Sequence, residues 1–524
     1  MIPLFSIDQV RNADRYAIEQ LKIPSISLME NASLSVFNFI KEYYPSARNV
    51  GVICGRGNNG GDGFATARHL INDNHQVTII YAGKESELNG DALLNYTVLK
   101  NLLKYYSTSK LKTFKSTKDI GELAKCDLIV DALLGTGTKG ELREPYKSII
   151  QHLNEINIPI VSIDLPSGLN LDKSSGSIIV NAELTVTLAD YKTGLFYGEG
   201  YKYAGKVVKG SIGIGSEYFN KQAVTEYLIE PEDALVGLPN KDKNLHKYSN
   251  GKILVIAGSG SYPGAAALTT NSILKSGGGA VFLAYPKSVR SLVVPKMDEA
   301  ILLPYEDRGM EILSTDTIRE IKDRFDWADL ISIGPGLGRA DETIEAVEQI
   351  LKKGTDKRFV IDADAIYAMS KFNLEKTDLR NKVLTPHHAE FSNLIGISNF
   401  ELENDLMSYG RKFVREHKCT LVLKGAPSII FTENGDSLIN SVGNVGMAKF
   451  GTGDVLTGII SGLSAISPDF EKSIISAVYL HSLAADLLLE EYSEFGITPT
   501  LIMENLHNAI KFLRNSFIYS TWNS

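Results

Sequence analysis

Two clusters in this chain combine residue types that suit chemistry on phosphorylated ligands. The first is Asn58-Asn59-Gly60-Gly61-Asp62-Gly63, shortly after an apolar run ending at Cys54. Glycines let a backbone approach a ligand closely and expose peptide N–H groups. A helix starting there points its N-terminus at an anion. An Asx-rich helix cap is the plain alternative, but six such residues exceed what a cap needs. The cluster is neither G-x-G-x-x-G in its usual setting nor a Walker A loop, which needs Gly-Lys-Ser/Thr. Asp131 closes the run DLIVD and leads into Leu134-Gly135-Thr136-Gly137; Asp164 closes VSID and leads into Pro166-Ser167-Gly168. Of the two acids at neighbouring strand ends, one can ligate a cation and the other act as acid or base; oxygen donors such as Asn59, Asp131 and Ser167 suit a hard cation. Lys192, in TLADYKTG, can lower the pKa of Asp164 and relay its proton if the fold brings them together.

The second cluster is Gly451-Thr452-Gly453-Asp454, ahead of the apolar helical pattern VLTGIISGL. A glycine-rich helix start is an anion hole. Asp454 beside it can take a proton from a hydroxyl that attacks a phosphoryl group. Lys424-Gly425-Ala426-Pro427-Ser428 follows TLVL and offers a cation and a hydroxyl to a nucleotide. Gly334-Pro335-Gly336-Leu337-Gly338, the pair Asp362 and Asp364, and Thr385-Pro386-His387-His388-Ala389-Glu390 follow further apolar runs. His387 is a candidate contact to a substrate phosphate or hydroxyl, and Glu390 a candidate organiser of magnesium-bound water. Gly258 to Ala266 is rich in small residues that leave room for a flat ring or a pyrophosphate. No H-E-x-x-H zinc spacing and no G-x-S-x-G elbow occurs.

These loops need strand ends to hold them. The runs NVGVICG, QVTIIYAG, DLIVDALLGTG, IPIVSIDLPSG and ELTVTLAD read as strands, with VRNADRYAIEQ, about 28–43, and DGFATARHLIND as helices between or before them. The alternation implies a parallel sheet covered on both faces, with ligands beyond the carboxyl ends of the strands. GKILVIAGS, GGGAVFLAYP, DLISIGPGLG, KRFVIDADAI and CTLVLKGAPSII restart the pattern, and 453 to about 487 reads as mostly helical. The polar, proline-containing stretch near 217–250 separates the two. The expected organisation is a domain over 1–215, a linker over 216–240 and a second domain over 241–524.

A chain of 524 residues exceeds one hydrophobic core, so two domains are expected. The composition, 44% hydrophobic and 22% charged, fits a globular protein. A net charge of −8 without a dense basic run argues against nucleic-acid binding. Three dispersed cysteines, Cys54, Cys126 and Cys419, argue against a disulfide framework or thiolate metal site. The first residues do not read as a signal peptide, and the apolar runs look strand-sized, too short to cross a bilayer. A cytoplasmic protein without a membrane partner is expected.

The motifs CGRGNNGGDG, DALLGTG, DLPSG and TLADYKTGL in the first half, with GSGSYPGAAAL, GPGLG, DADA, TPHHAE, KGAPS and GTGDVLTG in the second, closely resemble the bifunctional NAD(P)H-hydrate repair enzymes over nearly the whole chain. The resemblance implies an α/β protein: an N-terminal Rossmann-like three-layer sandwich and a C-terminal ribokinase-like doubly wound domain. It implies an epimerase for the C6 epimers of hydrated NADH and NADPH, fused to an ADP-dependent dehydratase of the S epimer. Under it, Asn59, Asp131 and Ser167 hold potassium. Asn58, Asn59, Gly60, Gly61 and Asp62 with Gly135, Thr136 and Gly137 bind the hydrate, Asp164 is the acid/base and Lys192 supports it. In the second half Ala266, Gly336, His387 and Asp454 face the hydrate, with Asp454 also catalytic. Lys424, Gly425, Ala426, Pro427, Ser428, Thr452 and Gly453 hold the nucleotide with Mg2+. A homo-oligomer is also implied. Two residues depart from the family pattern: Arg56 stands where proline is common, and Ser428 where threonine is common. A small-molecule kinase fused to a cofactor-binding domain is the alternative, since the GTGD turn suits it equally on physical grounds, and the residues alone leave ADP against ATP open.

Overall fold

The computed structural model describes residues 1–137, 142–171, 178–239 and 248–522. The chain divides into two compact units, 3–224 and 225–524, the latter joined by residues 1–2. The expected start of the second domain, 241, lies outside the described residues.

Strand β1 is Ile2–Pro3. The first unit then forms β2 (Asn49–Cys54), β3 (Gln76–Tyr81), β4 (Lys110–Thr113), β5 (Leu128–Ala132), β6 (Ile160–Ile163), β7 (Leu184–Leu188) and β8 (Lys206–Gly210). They make one sheet in the order β4-β3-β2-β5-β6-β7-β8, and every pairing in it is parallel. Val50, Val52, Val77, Ile79, Leu128, Val130, Val161 and Ile163 join one apolar cluster, while Ile53, Ile80 and Ile129 join another. Alternate residues therefore feed opposite faces, as a covered parallel sheet requires.

The helix after β2 is Asn58–Asn72, four residues longer at its start than DGFATARHLIND suggests. The Asn-Gly cluster is thus its first turns and not a preceding loop. Three glycines there oppose helix by intrinsic propensity, but close packing demands them. A Cβ on Gly60 would lie 1.9 Å from the Gly55 carbonyl oxygen, one on Gly61 2.8 Å from Met29, and one on Gly63 2.5 Å from Ala132.

The second unit adds β9 (Glu226–Leu228), β10 (Lys252–Ile256), β11 (Ala280–Pro286), β12 (Ile301–Tyr305), β13 (Leu330–Ile333), β14 (Arg358–Ile361), β15 (Lys382–Leu384), β16 (Thr420–Leu423), β17 (Ser428–Phe431) and β18 (Ser437–Asn440). The sheet runs β1-β9-β18-β17-β16-β15-β14-β13-β10-β11-β12. β9 and the helix Pro231–Val236 lie in the stretch expected as linker, yet β9 pairs with β18. From β12 across the sheet to β16, all pairings are parallel. CTLVLKGAPSII is two strands, β16 and β17, paired antiparallel, because the turn Gly425-Ala426-Pro427 reverses the chain.

The helices Thr452–Ile466 and Phe470–Leu487 pack into the main core of this unit, contributing Val455, Ile459, Ile460, Ile474, Val478 and Leu480. Phe470–Glu490 is long and apolar enough to cross a bilayer by length and composition, although 72% of its apolar window is buried inside the protein. A core helix walled in on most sides needs the same apolar composition.

Candidate active sites

In the first unit a cleft of about 1590 Å³ opens over the sheet and is lined by Asn58, Asn59, Asp62, Gly135, Thr136, Gly137, Asp164 and Lys192. Gly60 and Gly61 do not line it, since they face the packing contacts just described. Asp131 and Ser167 do not line it either; both are fully buried one layer beneath. The Asp131 carboxylate accepts from Ser162 Oγ at 2.9 Å, Ser167 N at 2.8 Å, Ser167 Oγ at 2.6 Å and Leu133 N at 3.2 Å. Burial pushes its pKa up while the Ser167 and Leu133 donors pull it down.

Ser167 Oγ also accepts from Leu134 N at 2.9 Å, and Asn59 Nδ2 donates to the Leu134 carbonyl at 2.9 Å. Asn59 and Ser167 therefore converge on Leu134, and Asp131 reaches the same loop through Leu133 N and Ser167. Asn59 Oδ1 is buried and has no hydrogen-bond partner among the described residues. An orphaned amide oxygen next to a carboxylate and a hydroxyl is the donor chemistry of a hard monovalent cation, so the residues fit potassium.

Lys192 is 1% exposed. Its Nζ donates to Asp164 Oδ1 at 2.7 Å, Thr187 Oγ1 at 2.8 Å and the Leu188 carbonyl at 3.0 Å. Leu188 N donates to the same Asp164 oxygen at 3.1 Å. Asp164 has φ +68°, a left-handed conformation that Asp and Asn tolerate better than other side chains.

Motif reading missed Asp14. It projects from the helix Ile7–Glu19 into the same cleft. Desolvation, with the Asp164 charge, pushes its pKa up to about 6 against the pull of Lys192. The available signal was positional: Asp14 borders the buried stripe Val10, Ala13 and Ala17. Asp62 is buried, and burial with the charges of Asp164, Asp14 and Asp91 raises its pKa well above the carboxylate range. Arg11 hydrogen-bonds the Thr136 carbonyl, tying that helix to the glycine-rich loop.

In the second unit Gly451 caps the helix Thr452–Ile466 in a left-handed conformation, φ +95°, and no side chain caps its first turn. Lys424 lies against that turn: a Cβ on Gly453 would be 3.1 Å from Nζ. Lys424 Nζ donates to Asp362 Oδ1 at 2.6 Å, and Thr457 Oγ1 to Asp362 Oδ2 at 2.6 Å. Asp362, buried at 1% exposure, thus fixes the lysine and the helix together. Burial works against the Lys424 charge, but Asp362, Glu390 and Asp454 outweigh it and its pKa is raised. Asp454 is pushed up to about 7 by burial and the Asp362 charge, opposed by Lys424.

Asp364 accepts from Gly338 N at 2.9 Å and Arg339 Nε at 3.1 Å, which locks the GPGLG loop. Gly336 lies beside Tyr262 and Ala265. Ala266 has no exposed surface and lies under Gly258, so it shapes the floor without offering a contact. His387 is placed next to Lys424 by an isolated bridge. Its N–H donates to Glu390 Oε2 at 2.9 Å and its Nδ1 accepts from Glu390 N at 3.3 Å, so His387 caps the helix His388–Ile395 in a reciprocal pair with Glu390. Gly425 and Ala426 are exposed, and Ser428 Oγ donates to the Gly425 carbonyl at 3.3 Å. His481, also missed, is buried against Thr452 and kept neutral, its pKa pushed down to about 4 by burial. Among the described residues no three His, Cys, Asp or Glu side chains gather as a metal cage.

Residues 253–508 match the family model described as NAD(P)H-hydrate dehydratase, and residues 25–194 the one described as YjeF-related protein N-terminus. The bifunctional NAD(P)H-hydrate repair enzyme of Moorella thermoacetica is 33% identical over 500 residues, 92% of each chain. That of Methanocaldococcus jannaschii is 35% identical over 508 residues, 95% of this chain and 91% of the relative. This chain belongs to the bifunctional NAD(P)H-hydrate repair enzymes. A ribokinase-like superfamily protein from Enterococcus faecalis, 26% identical with a TM-score of 0.50, covers 56% of this chain and 98% of its own. The Rossmann-like and ribokinase-like expectations for the two halves are met.

Proposed function

We propose that the first unit interconverts the C6 epimers of hydrated NADH and NADPH, and that the second dehydrates the S epimer with ADP as phosphoryl donor. The observation that carries this reading is Asp454, held near pKa 7 beside Lys424 and an uncapped helix start. A base near neutrality is half ionised at working pH and strong enough to take a hydroxyl proton.

In the second site, helix N–H groups and Lys424 hold the β-phosphate. Asp454 removes the C6 hydroxyl proton as that oxygen attacks the β-phosphorus, and AMP leaves. The ring nitrogen lone pair then expels phosphate, and loss of the C5 proton restores the dihydronicotinamide. Hydroxide is a poor leaving group and phosphate a good one. Bound Mg2+ would supply charge neutralisation for the nucleotide phosphates.

In the first site, Asp164 takes the C6 hydroxyl proton as the C6–N1 bond opens to an aldehyde and the ring nitrogen is protonated; reclosure on the other face of the aldehyde returns the proton to oxygen and inverts C6, while Lys192 holds the carboxylate in place through Oδ1. Burial and the neighbouring carboxylates favour the neutral form of Asp62, a form that can donate a hydrogen bond to a phosphate oxygen. Asn59, Asp131 and Ser167 would hold potassium, which would supply positive charge to the site. The free, buried state of all three cysteines supports a reducing, cytoplasmic location.

The test is absorbance at the dihydronicotinamide band with both hydrate epimers, Mg2+ and ADP, and ATP in parallel. Complete conversion faster than spontaneous epimerisation supports both activities. Conversion of the S fraction alone removes the epimerase assignment. No conversion with either nucleotide, with a stable phosphorylated product, replaces the reading with a kinase.

A further inference from the structure

We propose that Arg56 and Lys84 form a subsite for a phosphate on the adenosine ribose, so that the first unit prefers the 2′-phosphorylated hydrate. This rests on reading the cleft as the hydrate site. The sheet order puts the ends of β6 and β7, with Asp164 and Lys192, on one side of the β2–β5 pair, and the ends of β3 and β4 on the other. The cleft spans both sides: it is lined by Asp164 and Lys192, by Asn58 and Thr136, and by Lys84 and Thr113. With the reacting ring at Asp164 and the diphosphate over the start of the helix Asn58–Asn72, the adenosine half falls at β3 and β4. In sheets of this type the residues beyond the strand next to the glycine-rich one read the ribose. An acid there takes the 2′-hydroxyl and a cation takes a 2′-phosphate.

Lys84 lies just beyond β3. Arg56 reaches the same end from the loop after β2, and its charge acts on the Tyr81 and Tyr146 phenols flanking it. Both side chains are exposed in the cleft, and among the described residues neither has an ion pair. The competing group is Glu87, which also lines the cleft and would favour a free 2′-hydroxyl. Its carboxylate already accepts from Lys84 N at 3.0 Å, closing the short turn Glu85–Glu87.

The test uses the full chain, titrated calorimetrically with ADP-ribose 2′-phosphate and with ADP-ribose. The difference between wild type and R56Q/K84A isolates this cleft from the nucleotide site. Epimerisation of each hydrate is followed in parallel. Charged hydrogen bonds to a phosphate predict a preference of roughly 10–100-fold for the 2′-phosphorylated probe. In R56Q/K84A that preference falls at least about tenfold, and the kcat/KM ratio for the two hydrates falls with it, while R56K retains part of both. Equal weakening of both probes means that Arg56 reads the shared diphosphate and overturns the proposal, as does a wild-type preference for ADP-ribose. Lost probe discrimination in R56Q/K84A, with neither hydrate epimerised by wild type, supports the subsite and sinks the hydrate reading alone.

Discussion

Replacing Asp454 with asparagine separates two properties that this carboxylate couples. Its pKa rises from 3.8 to about 7 on folding, so the folded state holds a proton that the unfolded chain releases between those values. Stability is present below pH 4 and is lost as pH rises toward 7, the reverse of a salt-bridged aspartate. About three units at 1.36 kcal/mol each give a cost on the order of 4 kcal/mol above pH 7, and about 2 kcal/mol near pH 5. The neutral amide of D454N carries no such cost. Scanning calorimetry of D454N against wild type should show little difference at pH 4 and, at pH 8, a rise on the order of 5–10 °C in the melting of the C-terminal unit. The same variant should lose roughly 10²–10⁴-fold in dehydration, while wild-type kcat falls below a limb near pH 7. A stabilisation that does not grow with pH, or a wild-type rate flat through pH 6–8, would refute the claim that Asp454 is an uncompensated buried base.

D362N should lower dehydration roughly 10–100-fold, because it frees Lys424 and Thr457 from their shared anchor, and it should move the acid limb of the rate profile to lower pH by removing the charge that raises Asp454. K192M should abolish epimerisation while ADP-dependent conversion of the S hydrate proceeds at the wild-type rate; parallel assays of the two steps check this. Exchange of potassium for tetramethylammonium should slow epimerisation in the wild type and have much less effect in N59L, where the orphaned oxygen is gone. G60A should destabilise the first unit by several kcal/mol in denaturant unfolding, since its Cβ has no space beside the Gly55 carbonyl.

The strand-end loops were legible because most apolar runs stop at a glycine or a polar residue, and parallel sheets gather such ends on one edge. That logic found Asp164 with Lys192 and placed Lys424, while Asp454 was read from a glycine-rich helix start. The start of the helix at Asn58 was not legible: local propensity reads Asn-Asn-Gly-Gly as a turn, and only the contacts of Gly60, Gly61 and Gly63 with other segments reverse that reading. Asp14 carries no motif, and its placement comes from a helix distant in sequence. Asp362 was visible as a strand-end acid, but its role depends on Thr457 and Lys424 converging from two other elements. The helix at Phe470 lies in the stretch read as mostly helical, but its apolar length escaped because Ser473, Ser476 and His481, small or neutral groups that a core accepts, interrupt the apolar residues.

The left-handed backbone of Asp164 limits how this position drifts over evolutionary time. Among replacements one nucleotide away from an aspartate codon, glycine and asparagine accept that conformation, and neither carries an acid. Glutamate keeps the acid, yet it adds backbone strain and a methylene that displaces the carboxylate from Lys192. Every single step away from Asp164 therefore gives up either the geometry or the proton. Lineages that no longer need epimerisation should show asparagine or glycine here while the surrounding fold persists, a sign of lost function readable from one codon.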